Sequence, residues 1–227
     1  KFGVEVEYID FTKKKNISKI AAFNPTLIWL ESPTNPLLKV LNIKEICSEA
    51  KKHKIPVVVD NTFSTALIQK PLELGATLSI ISTTKFINGH SDALGGAVLT
   101  MNEDWNKKML FSQKSLGLQP SPFDCWLITR GIKTLPLRIE QQTKSAYLIS
   151  RELENHKLIS KILYPFNPNH PQFELAKAQM KSGGSIITIN LKLNKQNTFK
   201  FCKSLKYFSL AESLGGVESL ICHPATM

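Results

Sequence analysis

Three apolar runs that each end in a polar cluster constrain the fold of this 227-residue chain more than any other feature. Residues 26–31 read TLIWLE and lead into SPTNP. Residues 55–60 read IPVVVD and lead into NT, and residues 76–82 read ATLSIIS and lead into TTK. The runs are continuous, not alternating, and helical spacing separates them, clearly over 42–53 (NIKEICSEAKKH) and more weakly near 66–74. Strands that are apolar at nearly every position predict a sheet covered on both faces, and the intervening helices predict βα units. A fourth run over 93–100 extends the sheet, so the expected class is α/β. Asn42 with Glu45 three residues on predicts a capped helix start. Residues 4–9 (VEVEYI) alternate and predict a short half-buried strand.

Beyond residue 103 the pattern turns helical, over 103–114 and 121–156, bent by Pro120, Pro122 and Pro136. A strand over 159–163, a helix over 171–181, a Gly183–Gly184 turn, a strand over 185–193 and a helix over 195–204 then predict an α+β lobe. The expected boundary lies near residue 136, dividing 1–136 from 137–227. The chain opens at Lys1 inside a strand-like run and stops at HPATM, so both ends read as internal to a longer polypeptide.

The formal net charge is +11, but of 29 basic residues only Arg130, Arg138 and Arg151 are arginines. The lysines are spread along the chain, and arginine is the side chain that reads bases and phosphates bidentately. Nucleic acid is therefore not an expected partner. No apolar run approaches the ~18 residues of a membrane span. Cys47, Cys125, Cys202 and Cys222 form no CxxC pair, which points to a reduced, cytoplasmic setting. The five histidines stand apart without metal-ligand spacing, so no metal is expected.

In open α/β sheets ligands sit at the carboxyl ends of the strands. Lys85 lies just past one such end, where desolvation favours a neutral, nucleophilic amine able to form a Schiff base with a carbonyl. The competing reading is one more solvent-facing lysine. Asp60 closes an apolar run, where a carboxylate needs a partner or solvent. It suits the protonated nitrogen of a pyridine-type ring, and it equally suits a helix cap. Ser82 and Thr84 flank Lys85 with hydroxyls able to donate to a phosphate or to cap the strand end. Glycine-rich nucleotide signatures are absent. Asn35, on the rigid loop between Pro33 and Pro36, offers an amide to an anionic group or simply forms a turn. Glu212, Ser213 and the Gly215–Gly216 pair form a turn that either closes over the site or only reverses the chain.

Four blocks, SIISTTKFINGHSD (79–92), VVVDNTF (57–63), ESPTNP (31–36) and AESLGGVESLICHPATM (211–227), resemble the conserved blocks of the Cys/Met-metabolism family of pyridoxal-phosphate enzymes. The resemblance covers essentially the whole chain. It implies an aspartate-aminotransferase-like (type I) fold and pyridoxal 5'-phosphate as cofactor. It implies Lys85 as the Schiff-base lysine and proton shuttle, Asp60 at the pyridine nitrogen and Ser82 and Thr84 at the phosphate. Asn35, Glu212 and Ser213 would hold the substrate. It further implies small amino-acid substrates, a homotetramer, and family segments that precede Lys1 and follow Met227. Within the family the blocks are most similar to bacterial cystathionine gamma-synthases. That similarity implies a γ-replacement joining O-succinylhomoserine, or another O-acylhomoserine, to L-cysteine. Cystathionine gamma-lyase and O-acylhomoserine sulfhydrylase are the alternatives, with an inactive remnant as a further one.

Overall fold

The computed structural model describes residues 3–226. Two one-turn helices, α1 (Lys14–Ile17) and α2 (Ile20–Phe23), precede a four-stranded sheet in the order β1-β2-β3-β4. Its strands are β1 (Ile28–Glu31), β2 (Val57–Asp60), β3 (Leu78–Ser82) and β4 (Gly96–Leu99). The first three run parallel, and β4 returns antiparallel to β3. The parallel register carries Glu31 beside Asp60 and Asp60 beside Ile80, so the polar strand ends emerge at one edge of the sheet.

Helix α3 (Ile43–Lys52) joins β1 to β2. Its apolar residues Ile43, Ile46, Cys47 and Ala50 follow i, i+3, i+4, i+7 spacing and make one buried stripe. The Asn42 side chain accepts the Glu45 N–H, as the sequence predicts, and Lys51 and Lys52 complement the dipole at the other end. The stripe packs on Ile28, Leu30, Val57 and Val59 to form the core of this half of the molecule.

The opposite face of the sheet departs from the expectation of full cover. There Trp29, at 60% exposure, aligns with Val58 and Leu78, and Val98 stands 51% exposed on β4. Only the central Val58 and Leu78 are buried on that face, because no described element reaches over its edges.

Two further expectations fail locally. Residues 4–9 form no strand, and Val4, Val6 and Tyr8 are exposed. Alternation makes a strand only where a neighbour accepts the ladder bonds, and none among the described residues does. The weak helical stretch near 66–74 shrinks to α4 (Thr65–Ile68). Gln69 is extended there, its side chain drawn into a buried amide network, and Pro71 cannot continue a helix.

After the sheet come α5 (Glu103–Leu116), α6 (Pro122–Ile132) and the long α7 (Leu135–Glu152). An antiparallel pair follows, β5 (Ile159–Leu163) with β6 (Thr188–Leu191), bracketing α8 (Phe173–Gln179). Helix α9 (Lys195–Ser204) leads to the short pair β7 (Ser209–Leu210) and β8 (Leu220–Ile221). A second core joins the two halves: Phe86, next to the strand-end lysine, packs with Leu135 and Ile139 of α7 and with Ala176 and Met180. Among the described residues no helix is long and apolar enough to cross a membrane.

Candidate active site

Strand β3 delivers its last residue, Ser82, directly into a π-helical turn over Thr83–Ile87. The turn closes with Asn88 N–H donating to Thr83 O (2.9 Å) and Gly89 N–H to Lys85 O (2.8 Å). At Lys85 the backbone leaves helical geometry (φ −88°, ψ −125°), between the buried Thr83 and Phe86. Lys85 is half-buried and makes no ion pair among the described residues.

Asp60 is half-buried at the end of β2, and its Oδ1 accepts the Thr62 N–H at 2.9 Å. Thr62 in turn accepts the Ser82 N–H through Oγ1 (2.9 Å), which ties the Asp60 strand end to the lysine strand end. Thr62 thus braces both, and the tie to Ser82 is hidden in the sequence because that partner lies 20 residues away on another strand. The Thr84 hydroxyl is already engaged with Gly95, accepting its N–H at 3.0 Å and donating to its carbonyl at 3.3 Å. The Ser82 side chain makes no such bond among the described residues and is half-buried.

Glu31 lies beside Asp60 in the register. Burial pushes its carboxyl above the usual range; the Asn35 N–H opposes that and the Asp60 charge adds to it. The Asn35 N–H bond to Glu31 Oε1 (3.1 Å) braces the proline loop and leaves the Asn35 side chain exposed at the strand-end edge. Thr188 of β6 donates to Pro36 O, so the second half of the chain also grips this loop. Behind the site, Gln69 Nε2 donates to Ser32 O (2.7 Å) and Asn61 Oδ1 (3.0 Å), and Gln179 of α8 donates to Gln69 Oε1 (2.9 Å). These buried amides fix Asn61, and with it the backbone at Asp60.

The Glu212–Gly216 turn reaches the lysine from the far half of the chain. A Cβ on Gly215 (φ +82°) would lie 2.5 Å from Phe86 N and 2.8 Å from the Lys85 carbonyl carbon, so only glycine permits this approach. Ser213 is half-buried in that turn and Glu212 is exposed. The structure therefore brings Lys85, Ser82, Thr84 and Asp60 to one edge, sets Asn35 on the adjoining loop, and lays the Ser213 turn against the lysine backbone.

Nothing in its local sequence marks Arg138 as part of the site. It donates to Phe86 O (2.8 Å), Ile87 O (3.3 Å) and Gly131 O (2.8 Å), and through Nε to Thr134 Oγ1 (3.0 Å). The available signal is its type: in a chain that favours lysine almost throughout, an arginine suits a place where a planar fork is needed. His90 has a local role, with Nδ1 2.8 Å from Asn88 O. Among the described residues no group of three His, Cys, Asp or Glu is arranged to hold a metal.

A family model described as Cys/Met metabolism PLP-dependent enzyme matches residues 1–227. Cystathionine gamma-lyase of Rattus norvegicus is 43% identical over 227 residues, covering 100% of this chain and 57% of the relative. Cystathionine gamma-synthase of Mycobacterium leprae is 44% identical over 201 residues, covering 88% of this chain and 52% of the relative. The crystal structure of cystathionine gamma synthase from Xanthomonas oryzae pv. oryzae, in complex with aminoacrylate and cysteine, superposes with a TM-score of 0.93. It is 40% identical and covers 96% of this chain and 56% of that one. The chain thus spans a little over half the length of these relatives, and its fold is the aspartate-aminotransferase-like type expected from the four blocks.

Proposed function

This chain belongs to the Cys/Met-metabolism family of pyridoxal-phosphate-dependent enzymes, and from that premise we propose that the polypeptide carrying it is a trans-sulfuration enzyme acting as a cystathionine gamma-lyase. The observation that carries the γ-lyase reading is the 43% identity to such a lyase along the whole chain, with Lys85, Asp60 and Ser82 gathered at one strand-end edge. A γ-synthase, the expectation from the four blocks, is the second reading, supported by the fold match to the Xanthomonas enzyme.

The residues fit the family cofactor. Lys85 offers an amine without an ion-pair partner, and Ser82 a hydroxyl with no side-chain bond among the described residues. Asp60 offers a half-buried carboxylate that, among the described residues, has one backbone hydrogen bond and no cation. When bound, pyridoxal 5'-phosphate supplies an electron-withdrawing ring that stabilises negative charge at the substrate α-carbon. Lys85 would hold the cofactor's aldehyde end through Nζ, and its amine would carry protons at the substrate α- and β-carbons. Asp60 would pair with the pyridine nitrogen and keep it protonated. Ser82 and Thr84 would hold the phosphate through their hydroxyls, the Thr84 hydroxyl now donating to Gly95 O at 3.3 Å. Asn35 and Ser213 orient the substrate α-carboxylate, and Glu212 lies at the rim of the same turn. Substrates are small amino acids.

Helices α5 and α6 expose Leu110, Phe111, Phe123 and Trp126, and other copies of the chain cover them in the homotetramer we propose. Light scattering of the full-length polypeptide tests this; a monomer removes it.

The activity test supplies the full-length polypeptide with L-cystathionine, and separately with O-succinylhomoserine plus cysteine. Release of cysteine, ammonia and α-ketobutyrate from cystathionine supports the lyase. Formation of cystathionine and succinate from the second pair, without cleavage, moves the reading to the synthase. Lys85→Ala abolishes either activity by several orders of magnitude. Borohydride reduction followed by peptide mapping attaches the cofactor to Lys85; attachment elsewhere ends the proposal.

A further inference from the structure

Helix α7 touches both halves of the proposed site with one face. Arg138 and Gln142 are four residues apart, so they project side by side. Arg138 gathers the carbonyls of Phe86 and Ile87, immediately after Lys85, together with Gly131 O of α6. Gln142 donates through Nε2 to Gly216 O at 3.0 Å, and so holds the turn whose Gly215 lies against the Lys85 carbonyl carbon.

Helix stability does not explain Arg138. A cation near the N-terminus of a helix opposes the helix dipole, and no acidic residue stands in the first turn of α7 to offset it. Among the described residues no carboxylate pairs with this guanidinium; its partners there are three backbone carbonyls and one hydroxyl. The fit around it is close. A Cβ on Gly89 would lie 2.0 Å from Arg138 Nη1, and a Cβ on Gly131 would lie 2.1 Å from Asn88 O. Two chain segments, 86–89 and 131–134, therefore converge on one guanidinium, and the first of them follows the lysine directly. Gln142 is half-buried, and its buried Oε1 has no partner among the described residues, so its hydrogen bonding there runs through the donor to Gly216.

We propose that Arg138 and Gln142 are positioning residues. Arg138 fixes the Lys85 turn, Gln142 fixes the Glu212–Gly216 turn, and the rigid spacing between them on α7 sets the lysine amine relative to the substrate-holding turn. This rests on the reading of Lys85 as the cofactor-binding lysine and assigns separate duties to two residues outside it. Displacements of a fraction of an ångström at such a group are costly, so the two duties have separable signatures.

The experiment compares Arg138→Met, Arg138→Lys and Gln142→Leu with the parent in the full-length polypeptide, each checked for folding by circular dichroism. The rate of borohydride-trappable attachment at Lys85 is followed after addition of pyridoxal 5'-phosphate to apo-protein, with the pH titration of the bound cofactor's absorbance and the KM and kcat for L-cystathionine. Arg138→Met slows attachment about tenfold and shifts the absorbance titration, and Arg138→Lys, with its charge kept and its fork lost, recovers only part. Gln142→Leu leaves the attachment rate within about twofold and raises KM about fivefold or more. If Arg138→Met does not fold, Arg138→Lys decides. Attachment and titration unchanged in the folded Arg138 variants overturn the role of Arg138. In Gln142→Leu, attachment slowed as much as KM is raised, or KM left unchanged, overturns the division of duties. A parent protein that attaches nothing at Lys85 instead removes the reading on which both depend.

Discussion

Helices α3 and α5 begin and end alike, yet one is buried and the other is not. Each opens on an asparagine whose side chain accepts the N–H three residues on, Asn42 from Glu45 and Asn102 from Trp105. Each closes with a left-handed residue and paired backbone bonds to the last turn. Lys54 (φ +58°) donates to Lys51 O and Ile55 to Ala50 O; Gly117 (φ +66°) donates to Lys114 O and Leu118 to Gln113 O. This is the Schellman pattern in both. Between those matching ends α3 buries Ile43, Ile46, Cys47 and Ala50, whereas α5 buries nothing and exposes Leu110, Phe111 and Leu116. Helix existence is thus set by the caps, and helix burial by what the rest of the chain brings to the helix face.

The largest effect that tests this contrast is chemical. Burial pushes the Cys47 thiol of α3 up to about 12, while Cys125 of α6, the helix that follows α5, is exposed. At pH 8 the Cys47 thiolate fraction is on the order of 10⁻⁴, so iodoacetamide labels Cys125 and leaves Cys47 unmodified in the folded protein. The thiolate is the reactive form, so Cys47 labelling rises about tenfold per pH unit below about 12 while the fold holds. Peptide mass mapping reads both sites, and rapid Cys47 labelling at pH 8 breaks the contrast.

Truncation in the two helices comes next. Ile46→Ala costs about 2–5 kcal/mol in denaturant unfolding, because the methyl groups leave a cavity under the sheet. Phe111→Ala stays within about 0.5 kcal/mol in a monomer. If Phe111→Ala also costs several kcal/mol and dissociates an oligomer, a second copy buries α5, and the difference between the helices lies in which chain supplies the cover.

The smallest effect concerns the helix ends. Lys54→Gly stabilises by about 0.5–1 kcal/mol, since glycine accepts the left-handed conformation without the Cβ penalty, and Gly117→Lys costs about as much. Thermal unfolding of the two variants measures it. Opposite signs of similar size mean that the ends are equivalent; a Gly117→Lys change without effect means that α5 frays there.

Much of the arrangement was legible in advance. The runs 26–31, 55–60 and 76–82 became β1 to β3, because branched apolar side chains at consecutive positions suit a strand flanked by others. Asp60, Ser82 and Lys85 were legible as strand-end residues for the same reason. What failed in each case depended on a partner distant in sequence. VEVEYI has the period of a strand, but no described strand pairs with it. The helix expected near 66–74 ends at Ile68, since Gln69 gains more from its buried amide bonds to Ser32 and Asn61 than from another helical turn. Trp29 and Val98 read as core residues, yet they lie on a sheet face that no described element covers at its edges.

The sequence by itself determined the strands, the capped helices and the chemistry of the strand-end edge, because periodicity, capping and side-chain type act over a few residues. Only the tertiary structure decided that Thr62 ties Asp60 to Ser82 and that Gly215 lies against the Lys85 backbone. It alone decided that Arg138 and Gln142 of one helix grip the distant turns at Phe86 and Gly216, and that Ser91 bonds to Glu218 just beyond them. Hydrogen bonds and close packing act over about 3–4 Å in space, whatever the separation along the chain, so no local pattern announces them.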